Sequence, residues 1–403
     1  MTARLSVLCL ILLGGCATVP RPAGHQNSAP AAPKRGELDR LVADVCQKQI
    51  VLLGEATHGD GRTIELKARL VRRLIRECGF DSVLFEAGVY DFLQLERAYA
   101  AGTAEAKQLS SAIGAIWSTA REAQPLIAFL HRAASKGRVR IMGIDDQIHS
   151  TAWFAQKTLP DLLAAYLSGH RRAECRAAIQ RHTDWKYDDA TPYTRQRRAA
   201  LSKCLQDVRA VLRSLPASPK TEEARLMTGN LLRWISRDFG TDRYGSFNAR
   251  DASMFQNVRW HRSRLGPRAK SIIWCATIHA AKTLAGLGRY DRLVPLGQHV
   301  HQRYGSRAAA IGFTAYAGAS RPPGKGTVIL TTAPDDALET RALKPGQTLH
   351  YLEPRALRAQ GEISARPIGH RFIVAHWDRV LDGVVVLGRE RPTTRGVAAT
   401  RSR

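Results

Sequence analysis

The chain has 403 residues, 44% of them hydrophobic and 24% charged, a balance that fits a soluble globular protein and excludes a fibrous or largely disordered one. Its 61 Lys and Arg stand against 35 Asp and Glu, a formal net charge of +26, which favours contact with anionic surfaces. The arginines are scattered along the whole length, without a basic tract interleaved with aromatics or a usual nucleic-acid motif. The charge therefore reads as a solvated surface, and no nucleic-acid partner is expected.

In chain order, the first element is a targeting segment. Arg4 gives a short positive start, and Leu5 to Leu13 form an apolar run too short to span a bilayer as a mature helix. Leu13-Gly14-Gly15-Cys16 resembles the bacterial lipobox. That resemblance implies cleavage after residues 1–16 and lipidation of Cys16. With Ala17 next, it implies a lipoprotein of the outer membrane that faces the periplasm and is anchored to the bilayer without spanning it. Residues 17–36, rich in Pro and Ala, read as a flexible tether. A single domain is expected over 37–394, followed by a basic disordered tail over 395–403.

The domain opens with a helix through Cys46, strand 50–55, and a helix over 62–78. In that helix Ile64, Ala68, Val71, Ile75 and Cys78 recur at three- and four-residue steps, and Gly79 stands where a helix-ending glycine belongs. Strand 82–87, helices around 91–100 and 121–136, and strand 139–145 follow. Residues 150–265 lack strand-like runs and read as a helical insertion, with helices near 153–167, 171–182, 193–214, 220–237 and 246–264. Strand 271–277 returns to the sheet, and short strands are expected at 309–313, 327–331, 371–375 and 383–388. The alternation of strands and helices predicts an α/β fold. A mostly parallel sheet is flanked by helices, and the insertion roofs the carboxyl edge of the sheet.

Cys46, Cys78, Cys175, Cys204 and Cys275 remain once Cys9 and Cys16 are set aside. The odd number leaves at least one free thiol, and no C-x-x-C pair suggests structural zinc. Cys175 and Cys204 flank helices that can fold back as an antiparallel pair, and a bridge between them is expected in an oxidising envelope. Cys46 and Cys78, which precede strands read as adjacent, are the second and less favoured pair.

Four of the strands end on proton-handling residues: Glu55 and His58, Glu86, Asp145 and Asp146, and His279 with Lys282. In an open parallel sheet, ligands bind beyond the carboxyl ends of the strands. Carboxylates and imidazoles gathered there suit acid–base chemistry, a carboxylate fixing the tautomer of a histidine that takes a proton from water. Gly54 and Gly59 flank the first acid–histidine pair and are expected to let the backbone turn sharply. No serine has the Gly-x-Ser-x-Gly setting of a hydrolase nucleophile.

Ordered blocks carry a family resemblance. GEATHG (54–59), ELKARLVRRLIRECGFDSVLFEAG (65–88), WSTAREAQPLIAFLHR (117–132), MGIDDQ (142–147), the Arg250-Asp251-x-x-Met254 helix, LGQHVHQRYGSRAAAIGF (296–313) and WDRVLDGVVVLGRERPTT (377–394) together resemble the erythromycin esterase family over roughly 40–394. The resemblance implies a cofactor-independent hydrolase of an ester or lactone of the macrolide-like class. It implies His58 as the base for water and Glu55, Glu86 and His279 as further catalytic groups. Lys67 falls where the family has Arg or Lys. Lys67, Asp145, Arg250 and Asp251 are assigned to substrate binding, Lys67 together with His279 opposite the developing oxyanion. One departure stands out. The family's strand end reads Trp-Ala-His-Asn-Gly-His, whereas here it is Trp274-Cys275-Ala276-Thr277-Ile278-His279, so one imidazole is absent. Two other readings stay open at this stage. One is a metal-dependent hydrolase or peptidase of related fold, with Glu55, His58, Glu86 and His279 as ligands. The other is a haem-binding lipoprotein.

Overall fold

The computed structural model describes residues 36–184, 194–240 and 242–395; the expected signal segment, Cys16, the tether and nearly all of the basic tail lie outside them. The chain runs α1 (Glu37–Val45), β1 (Ile50–Glu55), α2 (Gly61–Cys78), β2 (Ser82–Gly88), α3 (Val89–Ala100), α4 (Ala106–Ile113), α5 (Ala115–Ser118), α6 (Gln124–Ser135) and β3 (Arg140–Asp145). The insertion comprises α7 (Phe154–Lys157), α8 (Leu159–Ala164), α9 (Gly169–Thr183), α10 (Arg195–Ser214), α11 (Pro219–Gly240) and α12 (Arg243–Leu265). Then come β4 (Ser271–Ala276), α13 (Thr277–Ala280), α14 (Leu296–Tyr304), β5 (Ala308–Ser320), β6 (Val328–Leu330), β7 (Leu349–Leu352), β8 (Glu362–Ala365), β9 (Ile373–His376) and β10 (Gly383–Glu390).

The main sheet has the order β3-β2-β4-β1-β5-β10-β7, with β6 paired to β5. All pairs from β3 across to β10 are parallel, and β7 and β6 are antiparallel additions. β4 enters between β2 and β1, so the long excursion after β3 returns to the middle of the sheet. That topology sets the ends of β3, β2, β4 and β1 side by side on one edge, where the sequence places its acids and histidines.

Both faces of the sheet are covered, and the two-residue period of the strands divides them. Val51 and Leu53 pack with α1, α2 and α6, while Ile50 and Leu52 pack with Met254 and Val258 of α12 and Leu296 and Val300 of α14. α2 forms as its apolar spacing predicts. It stops at Gly79, whose φ of 70° is left-handed and whose N–H caps the Leu74 carbonyl. Its buried face also carries Lys67, which is 0% exposed. The insertion holds a core of its own, in which Leu201, Leu205, Val208 and Leu212 of α10 meet Leu231 and Trp234 of α11 and Tyr90 and Leu93 of α3.

Several elements depart from expectation. The segment between α3 and α6 forms α4 and α5, and Trp117 lies within α5 and does not lead the helix that follows, α6. β7 and β8 have no apolar run to betray them; β7 is an edge strand, and β8 pairs only with β9. Gly54 and Gly59 are required for close approach, since neither has positive φ. A Cβ on Gly54 would lie 2.5 Å from Thr277 Cα, and one on Gly59 would lie 2.0 Å from the Arg321 carbonyl.

Both cysteine pairs are bridged, Cys175–Cys204 with Cα atoms 5.0 Å apart and Cys46–Cys78 with 5.1 Å. The strands after Cys46 and Cys78 are not neighbours, because β4 separates them; the cysteines meet because α1 and α2 both end at the amino edge of the sheet. Among the described residues Cys275 is the free thiol, and it is buried. The closed loops span 32 and 29 residues, so chain-entropy arguments put each bridge at about 3 kcal/mol. The double substitution Cys175→Ser, Cys204→Ser is therefore expected to lower the unfolding free energy by about that amount, seen as a lower denaturant midpoint. A midpoint equal to wild type under non-reducing conditions would show that the bridge does not stabilise the fold.

Candidate active site

β1 ends by burying a carboxylate. Glu55 is 0% exposed, so its charge needs partners within the protein. Its Oε2 accepts from Lys67 Nζ, which also donates to the Cys275 carbonyl at 3.2 Å and lies 4.0 Å over the Trp274 ring. Its Oε1 accepts from Trp117 Nε1 and from His58 Nδ1, each at 2.9 Å. A carboxylate only accepts, so Nδ1 of His58 carries the proton. Nε2 then keeps its lone pair and has no protein partner among the described residues. The His58 side chain is 24% exposed and lines a cleft. Trp117 braces it edge-on, with ring centroids 5.0 Å apart.

A second cluster faces it. Glu86, at the end of β2, accepts from Arg250 Nη2 at 3.0 Å and from the Ala276 backbone N–H at 3.0 Å, with His279 Nε2 at 3.2 Å. Arg250 Nε also donates to the Asp145 carboxylate at 3.2 Å. His279 Nδ1 donates to Asp251 at 2.8 Å, and Asp251 in turn accepts the Leu296 backbone N–H at 2.7 Å. Phe247 stacks on the His279 ring with centroids 5.0 Å apart. Arg250 Nη1 lies 3.2 Å from His279 Nε2. Two cations this close are tolerated because Glu86, Asp145 and Asp251 surround them.

These contacts set the protonation states. Burial opposes the charge on His279, but Asp251 and Glu86 outweigh it and push the imidazole up to about 10. Burial likewise opposes ionisation of Glu86, yet His279 and Arg250 hold it well below the usual carboxylate range. Burial also acts against His58⁺, and the Glu55 hydrogen bond together with the Glu86 charge raises it above 6.5.

The cleft measures about 460 Å³. His58, Glu86, Asp145, Arg250 and His279 share its charged wall, and Ile113, Ile116, Ile148, Ile278 and Pro323 supply apolar walls. The insertion meets it through Arg250 of α12; the α4–α5 segment and the loop at Pro323 supply much of the remainder. Lys67 and Asp251, expected to contact substrate, are each 0% exposed and lie behind the cleft, bonded to Glu55 and His279. Asp146 turns away to pair with buried Arg237 at 2.6 Å. Lys282 pairs with Asp382 at 2.9 Å beside a larger cavity of about 670 Å³ at the amino edge of β5, away from the acid–base cluster. Trp117 carries no sequence signal as a site residue, because no spacing rule ties an indole to a carboxylate 62 positions earlier. Ala276 contributes a methyl group to the cleft and its N–H to Glu86. The carboxylates are already engaged by protein cations and N–H groups, and among the described residues no group of three or more His, Cys, Asp and Glu is arranged to hold a metal ion.

The sequence matches the erythromycin esterase family over residues 75–383, and the chain belongs to that family. It is 24% identical over 302 residues to YbfO of Bacillus subtilis, a protein provisionally described as a hydrolase. That match takes in 68% of this chain and 66% of the relative, just under two thirds of its length. Among solved structures, a Bacillus cereus protein superposes with a TM-score of 0.72 at 17% identity, covering 91% of this chain and 95% of that one. A succinoglycan biosynthesis protein gives 0.71 at 17% identity, covering 90% and 93%. A His-to-Asn mutant of the erythromycin esterase EreC in its open conformation gives 0.65 at 18% identity, covering 89% and 94%. These structures share the fold.

The His279 environment makes a titration test. Its pKa is raised from 6.5 to about 10, so the stability it contributes is complete below 6.5 and is lost as pH rises through 10. Denaturant stability is expected to fall across that window, and to fall less in His279→Gln. In NMR the His279 ring should remain protonated at pH 8; a midpoint near 6.5 would dissolve the assigned ion cluster.

Proposed function

We propose that this member of the erythromycin esterase family hydrolyses an ester or lactone bond in the cleft, with His58 as general base. The observation that carries the reading is the His58–Glu55–Lys67 relay. A buried, neutralised carboxylate holds Nδ1–H, and the basic Nε2 belongs to a side chain that lines the cleft. In this reading Nε2 takes a proton from a water as its oxygen attacks the substrate carbonyl. Arg250 and His279⁺ meet the negative charge that develops on the carbonyl oxygen. Collapse of the tetrahedral species expels the alcohol oxygen, which recovers the proton from His58. Glu86 holds both cations in place and steadies His58⁺ while the charge lasts. Lys67 is the counter-charge beside Glu55 within the core, and its burial places it outside direct contact with the oxyanion. Apolar walls suit a ligand with a substantial hydrocarbon surface, as a macrolide-like lactone has.

We further infer that the protein works in the cell envelope, anchored through Cys16. The Leu13-Gly14-Gly15-Cys16 block supports this, as do two disulfides that suit an oxidising compartment.

A panel of simple esters, small lactones and macrocyclic lactones tests the reading. On any substrate turned over, His58→Ala is expected to lower kcat/KM by about 10²–10⁴ with the melting temperature retained. The base acts as the neutral imidazole, so kcat/KM should rise with pH through a midpoint above 6.5 and fall again as His279 deprotonates near 10. A folded His58→Ala variant with near wild-type turnover removes His58 from the role.

A further inference from the structure

The formal net charge is +26, and several of the cations stand at one edge of the sheet. The carboxyl edge of the sheet carries Glu55, Glu86 and Asp145. At the opposite edge, the turns leading into β1, β4 and β5 carry Lys48, Lys270 and Arg307. Beside that amino edge, where α2 and α6 end, lies a groove of about 540 Å³ with Ile75, Phe80 and Phe129 among its walls.

Four cations line it, Arg76 near the end of α2, Arg132 and Lys136 on or just past the end of α6, and Arg138 in the turn to β3, with Asp81 as the acid in the same wall. Arg72 and Arg69 stand one and two turns before Arg76 on the same stripe of α2 and bring the cations to six. Among the described residues none of the six is ion-paired. Of the nearby acids, Glu77 pairs with Arg73 and Glu65 with Arg62 and Arg391, while Asp81, in the groove wall, accepts from the Lys270 N–H and the Ser82 hydroxyl. Cations in the last turn of a helix complement its dipole, but Arg69, Arg72 and Arg138 lie outside those turns. Like charges held this close repel one another unless an anion joins them.

We propose that this groove docks on the anionic phospholipid headgroups of a membrane surface. Clustered Lys and Arg gain favourable energy from each anionic headgroup they approach. Single-stranded nucleic acid fits less well. Such sites stack bases on open aromatic faces, and here Arg72 and Arg76 already lie over the Phe129 ring at 5.8 and 4.9 Å. Docked in this way, the protein turns its catalytic cleft, on the other sheet edge, away from the bilayer and toward soluble substrate.

The test is co-sedimentation of the full chain with phosphatidylcholine vesicles with and without phosphatidylglycerol, at low and high salt. The wild type is compared with the triple variant Arg132→Glu, Lys136→Glu, Arg138→Glu. A control triple, Arg195→Glu, Arg209→Glu, Arg213→Glu, makes the same charge change at exposed positions of α10. Affinity for the anionic vesicles should fall by at least about tenfold in the groove variant and by less than about threefold in the control. High salt should abolish the difference. Equal losses in both triples, or equal binding to vesicles with and without phosphatidylglycerol, overturns the proposal. So does tighter, salt-sensitive binding to an oligodeoxynucleotide that the groove substitutions remove. Should the Glu triple melt early, Arg132→Gln, Lys136→Gln, Arg138→Gln replaces it; a smaller loss in the same direction supports docking, and unchanged affinity rejects it.

Discussion

The buried pair of Glu55 and Lys67 is the constraint on which the rest of the site depends. A carboxylate at the end of a central strand cannot stay ionised in the core without a cation beside it. Lys67 meets that need from the apolar face of α2, reaching past the Trp274 ring to Glu55 and the Cys275 carbonyl. One contact thereby sets α2 against β1 and β4. It also leaves the second oxygen of Glu55 to Trp117 and His58. The indole fixes the α5 wall of the cleft, and the imidazole receives its tautomer.

The opposing cluster follows the same logic with a different source of charge. Glu86 and Asp145 arrive on adjacent strands and would repel each other. Arg250 and the Asp251–His279 pair come from α12 and α13 to separate and neutralise them. Counted formally, Glu55, Glu86, Asp145 and Asp251 face Lys67, Arg250 and His279⁺, four negative charges against three positive. The surplus negative charge is what a proton on His58 would cancel, in keeping with the raised pKa of that ring. The long helical insertion thus contributes to the site mainly by carrying α12, and the remainder of it folds around its own core.

Much of this was legible in the chain. The runs at 50–55, 82–88, 140–145 and 271–276 are continuous in apolar residues because both sheet faces are covered. The helices of the insertion could be read from their Leu and Ala spacing. The strand-end acids and histidines stood out because a charged group after such a run has no cheap structural purpose. What escaped was of another kind. α4 and α5 are short, and their packing against the cleft gives no periodic signal. β7 and β8 are only four residues each and half-exposed. Gly54 and Gly59 looked like turn formers, yet their use is to admit Thr277 and Arg321 at contact distance, partners more than two hundred positions away.

From sequence alone came the parallel α/β class, the family resemblance and the identities of His58, Glu55, Glu86 and His279, because strand period, helix period and the position of an acid along an apolar run are local properties. Tertiary structure alone decided which of the charged residues line the cleft and which stand behind them. Lys67 and Asp251 read from sequence like ligand contacts and prove to be buried counter-charges. The strand order, with β4 between β1 and β2, likewise brought Cys46 to Cys78 although the strands after them are not neighbours. The physical reason is that burial and charge pairing depend on every element surrounding a group at once, and no stretch of neighbouring residues contains that information.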